Sequence, residues 1–275
     1  MLRKLLKYDF QSVFKYWWIA AITSFVLSLI GGGFVTPIAS GKETPAMVMI
    51  ASIIVLSLVV LSNAAFALLS EILVFARFYK NFFTDEGYLT FTLPVKRIHL
   101  LNSKLILSVT TTFVTGVVCV INILTLLAIG FSKTVFTKEF FVNLIEVISK
   151  TFNQLGVYLI IYILEALLLF ILSIVFSSLF LFCCITFAAI ITKKAKVITA
   201  IGIYYFANSI FSSIVQILYL FGFTSISSLL EKIPEYSVNA VVALMLLVAV
   251  LFMAAFSYIL YILQYWMIDK KLNLS

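Results

Sequence analysis

Charge is what this chain has least of. Asp, Glu, Lys and Arg make up 11% of its 275 residues, where soluble domains carry about 25%. With 64% hydrophobic residues and a mean hydropathy of +1.20, no soluble fold could hide its apolar surface. Cysteine is also scarce. The three present (Cys119, Cys183, Cys184) all sit in apolar runs, and an odd number with two adjacent is no disulfide framework. They read as small apolar packing residues. The one histidine, His99, cannot build a Cys/His metal site with them. A phosphate-binding loop of the form GxxxxGK[ST] is missing too. Gly41-Lys42 comes nearest, but Thr36 stands five residues before that glycine and Glu43 follows the lysine. Intramembrane proteolysis needs a Ser/His pair, paired aspartates or metal ligands. Asp9, Asp85 and Asp269 all fall near span ends, and His99 lies in a polar segment facing solvent or headgroups. No catalytic, cofactor-binding or metal-binding residues are expected, and the chain alone is no enzyme.

What is there reads as membrane. A hydrocarbon core of roughly 30 Å takes about 20 apolar residues per helix. Six stretches meet that length: Trp17 to Val35, Met47 to Phe75, Leu105 to Phe131, Ala166 to Ile191, Val197 to Phe221 and Val238 to Met267. The fourth has an apolar lead-in from Leu155, so its outer limit is open by a turn or two. The expected fold is an all-α integral membrane protein, a single transmembrane domain over 1–275 without repeats, linkers or low-complexity tracts.

The net charge of +8 raises nucleic acid as a partner, but the placement of the bases answers for lipid. With the N-terminus inside, the inner segments hold Arg3, Lys4, Lys7, Lys15, Arg77, Lys80, Lys96, Arg97, Lys104, Lys193, Lys194, Lys196, Lys270 and Lys271. Those are 14 of the 19 basic residues. The outer segments hold Lys42, Lys133, Lys138, Lys150 and Lys232, balanced by Glu43, Glu139, Glu146, Glu231 and Glu235. The positive-inside rule then puts both termini in the cytoplasm, which six spans allow. It also puts Gly41-Lys42 outside, away from ATP. The first apolar run exceeds the roughly 7–15 residues of a signal peptide's core, so it reads as an uncleaved span.

Two amphipathic segments flank these spans. At 1–16, Leu2, Leu5, Leu6, Phe10, Val13, Phe14 and Trp17 share one helical face, and Arg3, Lys4, Lys7, Gln11, Ser12 and Lys15 take the other. An interfacial helix in the inner headgroup layer is expected, its bases toward anionic lipid. At 134–154, outside, Phe136, Phe140, Phe141, Leu144, Ile145 and Ile148 form a stripe opposite Lys138, Glu139, Asn143 and Glu146. This segment rests on the outer leaflet or caps the bundle.

The segment FFTDEGYLTFTLPVKRIHLL, Phe82 to Leu101, is polar and aromatic where its surroundings are apolar. Thr84 or Asp85 can cap a short helix, placing Asp85 and Glu86 at its positive end. Gly87 would cost about 1 kcal/mol inside a helix, which points to a close backbone approach. Leu93, before Pro94, is biased away from helix, so the first helix should end there and Pro94 open the next. A two-turn helix bearing Tyr88, Leu89, Phe91 and Leu93 is unstable alone in water. It packs on the span ends or on another protein, and the residues by themselves leave both open.

Here the chain resembles a known family. Glu86-Gly87-Tyr88-Leu89, Phe91, Leu93-Pro94-Val95 and Ser103-Lys104 are similar to the cytoplasmic loop of bacterial ATP-binding-cassette (ABC) permeases of the type-2 exporter class, typical of Gram-positive bacteria. The opening MLRKLLKYDF and the closing KKLNL also resemble that family's ends. The resemblance implies a permease subunit in the cell membrane, working as a homo- or heterodimer with separate cytoplasmic ATPase subunits. It also implies a coupling helix within 82–94, formed by Asp85, Glu86, Gly87, Tyr88, Leu89, Phe91 and Leu93. GFTSISSLLEKIPEYSVNA is a candidate for the family's partly re-entrant segment, or an ordinary outer loop. Few charges in the spans suit an amphipathic or apolar cargo, such as a peptide, lipid or drug. A non-transporting sensor or scaffold, or an unrelated helical channel, are the competing readings.

Glu165, in YLIIYILEALLLF, reads as the one acid inside an apolar run. An ionisable residue in a span is a functional-site hypothesis by default. It is either an interfacial carboxylate or a group lining the translocation path. Asn63, Asn122, Asn208 and Gln216 are expected to form interhelical hydrogen bonds.

Overall fold

The computed structural model describes residues 2–39, 45–84, 86–87, 92, 96–131, 137–192, 196–230 and 235–271. They form seven long helices and no strand: α1 (Leu2–Ala39), α2 (Ala46–Phe83), α3 (Arg97–Gly130), α4 (Lys138–Leu155), α5 (Val157–Ile191), α6 (Lys196–Leu230) and α7 (Glu235–Trp266). A π-helical turn, Met267–Lys271, follows. Six of the helices, all but α4, are long and apolar enough to cross a membrane. The protein is thus an all-α, multi-pass membrane protein.

Its surface is built accordingly. Large apolar side chains such as Ile53, Leu58, Leu61, Leu68 and Ile72 of α2 are exposed, while Ser24, Ser28, Thr111, Thr115 and Asn122 are buried. Lipid gives helices no hydrophobic reason to associate, so small residues and interhelical hydrogen bonds take that part.

The helices group into two compact units. Met1–Asn81 and Asn102–Lys150 form the first, and Phe82–Leu101 and Thr151–Ser275 the second. The boundaries fall at 81/82, 101/102 and 150/151, inside or at the ends of helices, where no linker composition marks them.

The first unit packs α1, α2 and α3. Glycines bring the backbones close: a Cβ on Gly31 would lie 2.5 Å from Val59 Cγ2, and one on Gly130 would lie 2.8 Å from Val35 Cγ1. A polar ladder fixes the register. Asn122 Nδ2 donates to Ser24 Oγ (3.1 Å) and to Asn63 Oδ1 (2.8 Å), and Asn63 Nδ2 donates to Ser28 Oγ (3.4 Å). Asn63 and Asn122 are therefore the interhelical groups expected of them, whereas Asn208 and Gln216 are exposed. Trp17, fully buried, packs on Phe66 and donates from its indole to Thr115 Oγ1 at 2.9 Å.

The second unit packs α5 with α6 and α7 through aromatic rings. Phe176 and Phe211 lie 5.0 Å apart, Phe180 and Tyr204 5.8 Å, and Phe211 and Phe256 6.4 Å between centroids. A buried amide adds direction, Gln264 Nε2 donating to Thr186 Oγ1 at 2.7 Å.

Two boundaries differ from the sequence reading. The interfacial helix expected over 1–16 is not a separate element; it forms the first four turns of α1, which runs unbroken for 38 residues, about 57 Å. No Gly or Pro stands between Leu2 and Gly31 to break it. Likewise the Ser-rich part of the candidate re-entrant segment is helical up to Leu230, continuing α6 instead of forming irregular backbone. Pro234 and its neighbours 231–233 lie outside the described residues, as does Gly41-Lys42.

Candidate functional site

The face division of α1 is as its periodicity demands. Arg3, Lys4, Lys7, Gln11, Ser12 and Lys15 are exposed, and Val13 and Trp17 are buried with Leu5, Leu6, Phe10 and Phe14 partly so. One acid breaks the pattern. Asp9, four residues from both Leu5 and Val13, falls on the apolar stripe and is 2% exposed. An ionised carboxylate can be held there only if paired. Arg77 Nε of α2 donates to Asp9 Oδ1 at 3.0 Å, and Lys104 Nζ of α3 donates to Oδ2 at 2.5 Å. Asn81 Nδ2 lies 3.4 Å from Oδ1. Lys104 is itself 2% exposed, with Ser103 and Ser108 buried beside it in sequence. Among the described residues, three helices thus meet on one carboxylate, which pairs with both Arg77 and Lys104.

This cluster stands at the stems of the 82–94 connector. Asn81 is the residue before Phe82, and Lys104 follows Leu101 by three. The helical residues that flank the connector are buried: Phe82 in α2 and Leu101 in α3 are 0% exposed and Leu100 2%. Gly87 has the close approach its position in the sequence suggested. Its N–H donates to Thr84 O at 2.7 Å, and an added Cβ would come within 2.9 Å of the Phe82 carbonyl carbon and oxygen. Glu86 is exposed, and Glu86 and Gly87 are helical. Asp85, Tyr88, Leu89, Phe91 and Leu93, the other residues of the expected coupling helix, lie outside the described residues, as does Pro94.

Where the connector enters α3, Arg97 reaches the far end of the chain. Its Nη1 donates to Asp269 O (2.5 Å) and to Asp269 Oδ1 (3.2 Å) in the π-helical turn. A guanidinium on the last carbonyls of a helix satisfies acceptors that have no partner within it. Met267 and Ile268, buried, hold that turn in place.

Glu165 lies eight residues into α5, about 12 Å from its start. It is 7% exposed, and its Oε2 has no hydrogen-bond partner among the described residues. One turn earlier, the Tyr162 hydroxyl donates to Asn239 O of α7 at 3.0 Å. Glu165 and the connector belong to separate stretches of the second unit.

Two features escape a reading by periodicity alone. Glu71 of α2 also stands in an apolar run, and it accepts a hydrogen bond from Thr112 Oγ1 of α3 at 2.9 Å. Averaging over LLSEILVF conceals it. Asp9 could have been found, since a helical wheel puts it among the leucines. Its partners, 68 and 95 residues away, could not.

No protein-family model matches this chain, and neither the curated proteins nor the solved structures compared with it provide a match.

Proposed function

We propose that this chain is the permease subunit of an ATP-driven exporter in a bacterial cell membrane, with ATP bound and hydrolysed by separate cytoplasmic ABC ATPase subunits. The observation that carries the reading is the anchored connector. A short segment between two spans, with the ABC permease-like EGYL-x-F-x-LPV pattern, stands on buried stems at Phe82, Leu100 and Leu101. Gly87 sits tight on the Phe82 backbone. A loop that only joins two spans needs no such footing; a segment that must carry a push does. Asp85, Glu86, Gly87, Tyr88, Leu89, Phe91 and Leu93 would form the ATPase contact, with aromatics and acids suited to a concave protein surface. A second permease subunit, identical or different, would complete the path. Glu165, the buried acid of α5, is the candidate to line it. The cargo class that suits spans so poor in charge is an amphipathic or apolar peptide, lipid or drug.

The test is affinity purification of the tagged chain from native membranes, with and without Tyr88→Asp and Leu89→Asp together. The unaltered chain should retain a span-free ATPase and stimulate its ATP turnover when cargo is added in liposomes. The doubly substituted chain should lose both while keeping its native Trp emission. Survival of a coupled complex would overturn the assignment. Retention of an ATPase without cargo-stimulated turnover would favour the sensor or scaffold, and no ATPase at all would favour a channel.

A further inference from the structure

The α4 helix is the element the exporter reading leaves unused. We propose that it is an interfacial helix, its apolar face embedded at the acyl-chain boundary of one leaflet instead of against the helical bundle.

No residue of α4 is buried, although it is 18 residues long and half apolar. At 100° per residue, Phe140, Leu144, Ile145, Ile148 and Phe152 fall on one side, and Glu139, Asn143, Glu146, Lys150 and Asn153 on the other. Ile145 is 65% exposed and Ile148 57%. A helix serving as a lid on the bundle would bury that stripe. In water such a stripe would be an aggregation liability.

The ends of α4 decide where it lies. Apolar sequence in α3 runs on to Phe131, and α5 is apolar from its first residue, Val157. A single residue, Gly156, separates α4 from α5. Gly156 has φ +52 and ψ −126, a backbone state that side chains with a Cβ rarely adopt. It ends one helix and starts the next without a spacer. So α4 is tied directly to a membrane-spanning helix at one end and by a short segment to another, which holds its apolar face at the height of the hydrocarbon edge. Under the sidedness proposed above this is the outer leaflet; insertion itself requires only that α3 and α5 cross the bilayer.

Charge identifies the kind of lipid. Two lysines and two glutamates cancel within α4, and Glu146 pairs with Lys150 at 2.8 Å one turn along. Binding therefore rests on apolar burial, unlike that of a basic helix that seeks anionic headgroups.

The experiment uses the full chain in phosphatidylcholine liposomes. A single cysteine is introduced by Ile145→Cys, Glu146→Cys, Ile148→Cys or Lys150→Cys and labelled with an environment-sensitive fluorophore; the unaltered chain serves as the background for its native cysteines. Positions 145 and 148 should emit to the blue and be quenched by doxyl-labelled lipid at least about twofold more than 146 and 150, which aqueous iodide should quench. Iodide access at all four positions would overturn the proposal by placing α4 in water. Protection of 145 and 148 from both quenchers would overturn it by placing protein over the stripe, whether the bundle or a second copy. Lipid quenching that appears only after anionic lipid is added would overturn the charge-independent insertion.

Discussion

Replacing Asp9 by Asn keeps the shape of the side chain and removes its charge. In the folded protein Lys104 would then be a cation with its side chain 3% exposed and no anion at Oδ2's place. Arg77, at 22%, has a route to water and is the less affected partner. Removing one member of a buried pair costs about 3–5 kcal/mol, because the other charge stays desolvated. That is about 10²- to 10⁴-fold in the unfolding equilibrium. The loss should be read by reversible unfolding in mixed micelles, followed by Trp emission, to which Trp17 contributes from the same face two turns away. Lys104→Met in the Asp9→Asn background removes the buried cation that Asp9 had paired and should recover about 2–3 kcal/mol of the loss. A cost below about 1 kcal/mol for Asp9→Asn, the size expected of an exposed pair, would refute the claim that this carboxylate is held dry between cations. So would a Lys104→Met substitution that adds its own loss instead of relieving the first.

Gly87→Ala would drive its Cβ to 2.9 Å from backbone atoms of Phe82, which cannot rotate away. A local cost of about 1–3 kcal/mol should appear as faster protease cleavage within 82–101, with the unfolding of the spans almost unchanged. Asn122→Leu removes both interhelical hydrogen bonds to Ser24 and Asn63. It should destabilise the protein by about 1 kcal/mol, two bonds at the average of about 0.6 kcal/mol each in membranes, in the same unfolding assay.

Six spans and two amphipathic segments could be read from the sequence because each rests on a local period or a local composition, which helices obey one by one. The limits of the helices were harder. Continuity of α1 through residue 16, and of α6 to Leu230, depends on the absence of a breaker, a weaker signal than a proline or glycine in place. Gly87 was legible because a glycine among helix formers asks for a reason, and the Phe82 backbone supplies it. The Asp9 cluster was half legible. Its acid breaks the apolar stripe of α1, but its cations come from α2 and α3, and pairing across such separations follows from tertiary packing that no window of sequence contains. Glu71 was hidden for the opposite reason, since its neighbours are apolar enough to absorb one charge in any average.

Under the exporter reading the cluster and the connector are one device. The connector follows α2 shortly after Asn81 and rejoins α3 at Arg97, seven residues before Lys104, and Asp9 of α1 contacts Asn81 of α2 and Lys104 of α3. A push on 85–93 that separates the stems has to stretch those contacts, so α1 is the first span to register it. A stem joined to α1 only by apolar packing could slip; one joined by a charge pair in a dry site moves with it or breaks. Stability and coupling should therefore come apart in the rescued variant. Asp9→Asn with Lys104→Met should regain most of its folding free energy, yet leave the retained ATPase less responsive to cargo, since the link from α1 to the α3 stem is gone and only the contacts of an uncharged Oδ1 to the α2 stem remain. If cargo stimulation returns together with stability, the cluster only holds the helices in place, and the push must reach the spans through Arg97 and the turn at Asp269 instead.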